Sequence, residues 1–421
     1  MKEKILGIIV FVLLMITAET TVGSLDNKKI SNMIESSSTQ SLTQADWKEM
    51  KKNPLNETVV LAPNSVYFTT TAFNSYKTYR ELNGQTIKCE SLEALVNPDA
   101  DQVRDFLKKN YLDGKQRYLL ILGDENLIPC KYCYDIYGTY KVHSDYYYGD
   151  LEGDWDYDND CKFGEFKDDK VDILNPEFLV GRLPGSNIEE IDAILNRTIT
   201  FEKEKDSWKR NMLLASGTIS KAGDSSLVTN LIDWFSTPYC YNITTMADAW
   251  ILQKPDIILN ETSFGKIWSE GEFGLVYAIC HGSNTGLYYY AHGHYPKFLD
   301  ISDVKKLNPD YPAVFVSLGC LTNQQYVKSL GKELIVNHSV AVIASSTITN
   351  PGNLAISGAW AETFFPRMYL RRAMNLGMAL QITKKMYYHL FVQWRNSIEG
   401  NDLQTNLIAF ILYGDPLLKQ C

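Results

Sequence analysis

Two short runs hold the residues best able to do chemistry. Gly274-Leu-Val-Tyr-Ala-Ile-Cys-His281-Gly282-Ser283 and Ala313-Val-Phe-Val-Ser-Leu-Gly-Cys320 each set a reactive side chain directly after an apolar, strand-like stretch. In an open α/β sheet, ligands collect just beyond the carboxyl ends of the strands, which is where both His281 and Cys320 fall. Were the two strands neighbours, about 4.8 Å apart, imidazole and thiol would share one crevice. A thiolate attacks a carbonyl and an imidazole moves the protons, so this pair is the minimum for nucleophilic hydrolysis. Free cysteine is also among the most buried residue types and histidine is often a bonded core residue, so the pair alone does not decide. Glycine flanks each one, Gly282 after the histidine and Gly319 before the cysteine, and close backbone approach to a substrate is one reason to omit a side chain there.

The second informative run is Asp154-Trp-Asp156-Tyr-Asp158-Asn159-Asp160-Cys-Lys162-Phe-Gly-Glu165. Oxygen ligands fall at positions one, three and five, a carbonyl at seven and a glutamate at twelve, the spacing of an EF-hand calcium loop. The sharp turn at position six normally takes glycine; here it falls on Asn159, which tolerates a left-handed backbone better than most residues. The expectation is a structural Ca²⁺ held by Asp154, Asp156, Asp158, Asp160 and Glu165 on a loop without flanking helices, with Asp145, Asp150 and Glu152 as further possible ligands. A solvated acidic loop without metal is the plain alternative.

Stretches that could carry these groups alternate along the chain. Strand patterns occur at Val59 to Ala62, Tyr118 to Leu122, Phe178 to Val180, Met212 to Ser216, Leu275 to Ile279, Val314 to Leu318 and Val340 to Ala344. Helical patterns fall at Asp101 to Asn110, Ile188 to Lys205, Ser226 to Phe235, Asp303 to Leu307 and Arg371 to Arg395. Such alternation predicts a mainly parallel sheet covered by helices. The charged stretch after Phe201 marks a seam, so the chain divides into a leader at 1–23, a polar lead-in at 24–56, a first subdomain at 57–205 and a second at 206–421.

Composition sets outer limits. The 421 residues are 45% hydrophobic and 22% charged with a net charge of -9, ordinary for a globular chain and without the basic surface that nucleic acid requires. Lys2 and Lys4 precede the apolar run Ile5 to Ile16, which is short for a bilayer span and reads as a signal peptide. Export is therefore expected, with no stable membrane insertion once the leader is removed. Eight cysteines are too few for a disulfide scaffold of this length, although some of Cys89, Cys130, Cys133, Cys161, Cys240 and Cys421 could pair.

Tyr118-Leu-Leu-Ile-Leu-Gly-Asp124 with Ile128-Pro129, Ser144-Asp-Tyr-Tyr-Tyr-Gly-Asp150, Phe178-Leu-Val-Gly-Arg-Leu-Pro184, His281-Gly282, Gly319-Cys320 and Tyr413-Gly-Asp-Pro416 together resemble the gingipain-like cysteine peptidases of the wider caspase-like clan. The resemblance runs from about Thr58 to Pro416, so that no separate C-terminal adhesion domain is expected. It implies a three-layer α/β/α caspase-like fold with mainly parallel sheets in two adjoining subdomains, calcium in the acidic region, and endopeptidase action on protein or peptide substrates. Cys320 would be the nucleophile, His281 the general acid and base, and the N–H groups of Gly282 and Cys320 the oxyanion donors. Cys280 departs from the glycine common before the histidine. The orienting acid of some relatives maps to the loop Gly217 to Asp224, where Asp224 is the nearest carboxylate. Trp360 and Tyr288 are candidates for the substrate pocket wall. Peptide-bond transfer by the same pair, a non-catalytic calcium-binding protein, and a zinc site at Cys280, His281, His292 and His294 remain as alternatives.

Overall fold

The computed structural model describes residues 55–135, 141–166, 168–219, 241–248, 254–349, 374–388 and 404–419. The leader, most of the lead-in, Asp224, the helical pattern at Ser226 to Phe235, Trp360, Cys240 and Cys421 lie outside the described residues.

One eleven-stranded sheet organises the chain. Its first part holds β1 (Glu57–Ala62), β2 (Thr86–Ser91), β3 (Arg117–Leu122) and β6 (Phe178–Leu183). The second holds β7 (Asn211–Ser216), β8 (Asn242–Ala247), β9 (Ile257–Ile258), β10 (Leu275–Ile279), β14 (Val314–Ser317), β15 (Ala341–Ser345) and β16 (Phe410–Gly414). The spatial order is β2-β1-β3-β6-β16-β15-β14-β10-β7-β8-β9, and every pair is parallel except β15 with β16. The last strand is thus the bridge between the two parts, meeting β6 at Tyr413 opposite Arg182. Two small antiparallel sheets stand outside the main one, β4 (Lys131–Tyr134) with β5 (Lys141–Ser144), and β11 (His281–Ser283), β12 (Gly286–Tyr288) and β13 (Lys297–Asp300).

Strand side chains alternate between two faces, and both faces are apolar, as a helix-covered parallel sheet requires. On one face Val60, Leu120, Leu213, Val276 and Phe315 join a single cluster with residues of α1 (Thr71–Leu82), α3 (Ile188–Lys203), α4 (Ser263–Glu270) and α5 (Leu330–Asn337). On the other face there are two clusters. Val59, Leu119 and Ile121 pack with α2 (Ala100–Tyr111) and α7 (Thr405–Ala409), while Met212, Leu214, Val314 and Val316 pack with α6 (Leu376–Tyr387). This is the three-layer caspase-like α/β/α arrangement. Several of the helices start at side-chain caps: Asp99 forms a capping box on α2, and the Asn187 and Ser329 side chains accept amides at the starts of α3 and α5. The stretch at Asp303 to Leu307 is a 3₁₀ segment, Ile301–Lys306, closed by an Asp300–Asp303 capping box, and not an α-helix.

Several residues behind the resemblance are structural. The Arg182 guanidinium grips the Asp145 carboxylate at 2.8 and 2.6 Å and donates to the carbonyls of Gly123 and Ile128, all at the centre of the sheet. Both Asp145 carboxylate oxygens are thus engaged by Arg182. Asp150 is likewise committed, accepting from Gly153 N, Trp155 Nε1 and Asp172 N. Asp415 lies fully buried against Arg80 at 2.6 Å, and Arg80 also meets Glu202, which anchors the end of β16 to α1 and α3.

Candidate active site

Strands β10 and β14 are immediate neighbours, in register from Leu275 opposite Val314 to Ala278 opposite Ser317. Both reactive residues therefore leave the same edge of the sheet at adjacent positions. After Ile279 the chain departs from the main sheet into β11, and after Ser317 it turns at Gly319, whose amide donates to Ser317 Oγ at 3.0 Å. The two exits press together. A Cβ on Gly282 would stand 2.5 Å from the Cys320 carbonyl oxygen and 2.7 Å from the Gly319 Cα, and one on Gly319 would meet the Gly282 Cα at 3.1 Å. The flanking glycines are thus explained by the approach of two backbones to each other, where the sequence pointed to approach by a substrate.

His281 is half-buried, with its Nε2 2.9 Å from the carbonyl oxygen of Ile219. A carbonyl only accepts, so Nε2 carries the hydrogen and the neutral ring keeps its lone pair on Nδ1. Tyr295 packs edge-on against the ring at 5.1 Å. The carbonyl belongs to the loop after β7, which is held from two sides: Tyr290 N donates to Thr218 O at 2.7 Å, and Thr218 N donates to the Asp248 carboxylate at 2.8 Å. The sequence located the loop and looked there for an acid; among the described residues the group on the ring is a main-chain carbonyl, a role that residue identity does not signal. Asp248, just after β8, acts through its carboxylate and was missed because no local pattern ties it to a loop thirty residues earlier.

The Cys320 side chain is half-buried and faces Thr349. Its Sγ lies 3.4 Å from Thr349 N, 3.4 Å from Thr349 Oγ1 and 3.8 Å from Thr349 O. The segment after the cysteine is fixed to the end of β15, with Leu321 N donating to Thr347 O at 3.0 Å and Asn323 N to Ser345 O at 2.9 Å.

Cys280 is buried beside Gly217. Tyr288 is half-buried on β12, its hydroxyl 3.2 Å from Ser283 Oγ and its ring under the Lys297 amine. Tyr289 belongs to the core, while Tyr290 stacks edge-on with Tyr295. Cys89, Cys130, Cys133 and Cys161 are free thiols, so no disulfide joins them. The four zinc candidates do not gather: among the described residues the one group of three or more such ligands is Asp156, Asp158 and Asp160.

In that acidic loop the three carboxylates offer oxygens within 4.8 Å of one another, and Asn159 takes the left-handed backbone at φ 61° that position six requires. The group is narrower than the sequence pattern. Glu165 is buried, with Lys162 at 3.8 Å, and Asp154 pairs through its backbone with Lys170; neither joins the three. Asp169, outside the twelve residues, organises the loop by accepting the amides of Tyr157, Gly164 and Glu165. Three convergent carboxylates fit a hard divalent cation such as Ca²⁺, although Lys162 neutralises part of the charge through Asp160 at 2.5 Å.

A model of peptidase family C25 matches residues 52–420. No curated protein matches the sequence. The fold is similar to that of solved peptidases at low identity. The crystal structure of the Arg-specific cysteine proteinase gingipain R superposes with a TM-score of 0.63 at 18% identity, covering 87% of this chain and 78% of that one. A complex of the pro- and mature domains of Porphyromonas gingivalis RgpB gives 0.64 at 19%, covering 86% and 79%. A third structure, described as a protease, gives 0.67 at 16%, covering 87% and 79%.

Proposed function

The chain belongs to peptidase family C25, and from that premise we propose that it is an exported cysteine endopeptidase acting on proteins or peptides. The observation that carries the reading is the contact of Gly282 with Gly319 and Cys320 at the ends of two adjacent strands, which sets the histidine-bearing and cysteine-bearing turns side by side.

Cys320 as thiolate attacks the peptide carbonyl; the C–S bond forms as the carbonyl π pair moves onto oxygen. Amides at Gly282 and Cys320 are the candidate donors to that oxyanion. His281, with Nε2 committed to Ile219 O, works through Nδ1, giving a proton to the departing amine and later taking one from the water that hydrolyses the thioester. Trp360 and Tyr288 are proposed walls of the substrate pocket. Asp156, Asp158 and Asp160 are proposed to hold a structural Ca²⁺, with oxygen ligation relieving their mutual repulsion. Export rests on the charged and apolar start of the sequence. Among the described residues no helix is long and apolar enough to cross a membrane.

The test is incubation of the purified chain with a mixed peptide library, Ca²⁺ and reductant, beside Cys320→Ala. Cleavage lost in the variant supports the reading. Amide products formed with an added amine would place transfer beside hydrolysis, and a folded wild type that cuts nothing would favour a binding protein.

A further inference from the structure

The polar contacts of the nucleophile point to a residue that neither motif contains. Among the described residues the hydrogen-bond partners of Cys320 Sγ all belong to Thr349, four residues beyond the end of β15: its main-chain N–H and its hydroxyl at 3.4 Å each, and its carbonyl at 3.8 Å. No hydrogen bond joins the sulfur to His281 among the described residues; the bonded ring nitrogen there is Nε2, engaged with Ile219. Thr349 is equipped for both states of the sulfur. Its carbonyl can accept from the thiol, and its N–H and hydroxyl can donate to the thiolate. Two donors aimed at an anion favour the charged form, and a stabilised thiolate is the reactive one.

We propose that Thr349 is a further catalytic residue, which holds Cys320 as a thiolate through its main-chain N–H and its hydroxyl, so that thiolate formation does not depend on a direct Cys320–His281 ion pair. The thiol proton leaves to solvent and His281 takes one from solvent, giving the same thiolate and imidazolium overall. His281 is then reserved for protonating the leaving amine. Other titratable groups on the segments packed around the cysteine are Cys280, which is buried, Tyr288 on β12, with Lys297 over its ring, and Lys141 and His143 on β5, whose carbonyls accept the Thr347 and Ser346 hydroxyls. No hydrogen bond brings any of their side chains to the sulfur among the described residues.

The proposal rests on the peptidase reading, and its test separates the two. The rate of Cys320 alkylation by iodoacetamide is followed from pH 5 to 9, with site occupancy read by peptide mass, in the wild type, Thr349→Val, Thr349→Ser and His281→Ala, and peptide cleavage is measured beside it. Thr349→Val keeps the N–H and the side-chain shape and removes the hydroxyl. It is expected to slow alkylation at pH 6 about tenfold and to move the profile up by about one pH unit, while Thr349→Ser stays close to the wild type. His281→Ala is expected to leave the alkylation profile in place and abolish cleavage. A Thr349→Val profile that superposes on the wild type, or a profile displaced by His281→Ala instead, overturns the proposal even if the wild type cleaves peptides. A wild type that alkylates selectively but cleaves nothing counts against the peptidase reading and leaves the role of Thr349 at the sulfur standing.

Discussion

Gly282 lies so close to Cys320 that a single added carbon would stand 2.5 Å from the Cys320 carbonyl oxygen. The histidine turn and the cysteine turn therefore form one rigid unit, and the position of His281 relative to the sulfur is set by backbone contact. Gly282→Ala has to push the two turns apart. A displacement near 1 Å at a reacting pair costs about a hundredfold in rate, so kcat/KM is expected to fall by about that factor in a protein that still melts cooperatively. Unchanged kinetics would detach the glycine contact from catalysis.

The carbonyl that fixes His281 is held in place by Asp248 through Thr218 N. Removing that acceptor in Asp248→Ala is expected to lower kcat about tenfold with KM nearly constant, since only the ring orientation is loosened. Asp248→Asn keeps an oxygen acceptor and should retain most of the activity. Equal losses in both variants would indicate that the charge of Asp248 matters, and not its hold on the loop.

Asp415 ties the bridging strand β16 to Arg80 inside the core. Removing Asp415 takes the acceptor from the Nε and Nη2 groups of buried Arg80 and leaves Glu202 on Nη1 alone, and buried charged donors left without an acceptor cost about 1–3 kcal/mol. Asp415→Ala should accordingly lower the denaturant midpoint strongly or prevent soluble folding, although Asp415 is nowhere near the sulfur. A midpoint close to the wild type would refute this account of the Tyr413-Gly-Asp-Pro416 run.

Burial holds His143 and His338 near pKa values of about 4. Their folded values lie below the unfolded one near 6.5, so above that pH they have no effect. As the pH falls from 6.5 toward 4 the unfolded chain takes up protons that the folded one refuses, and stability drops by up to about 1.4 kcal/mol per pH unit for each histidine. Melting temperatures measured across that window should fall less steeply in His338→Gln. Parallel curves would exclude His338 as a source of the acid sensitivity.

A cation held by Asp156, Asp158 and Asp160 in the folded state alone stabilises that state by mass action, by about 2.7 kcal/mol at a hundredfold excess over Kd. Adding Ca²⁺ to chelator-treated protein is expected to raise the melting temperature by a few degrees, and Asp158→Asn to abolish most of the rise. Identical melting with and without Ca²⁺ would leave the loop as a solvated acidic turn ordered by Asp169.

The central strands were legible because each is a continuous apolar run bounded by turn residues: Leu275 to Ile279 and Val314 to Leu318 announced both the elements and the place of the reactive residues. Strand β2, Thr86-Ile-Lys-Cys-Glu-Ser91, was not, because an edge strand buries little and its residues read as polar. The left-handed turn at Asn159 followed from its spacing in the loop. What escaped was mostly main chain or distant in sequence. The Ile219 carbonyl, the Thr349 amide and the Asp169 hub act through backbone groups or through contacts that no local pattern marks.

The measurement that bears most directly on the catalytic assignment is covalent capture by a small library of peptidyl acyloxymethyl ketones, mapped by mass spectrometry on native and denatured protein. Such probes alkylate a thiolate that recognises the attached peptide. The account predicts one adduct, on Cys320, absent from denatured protein and from Cys320→Ala. Labelling confined to the exposed Cys89 and Cys161, or spread equally over all thiols, would contradict it.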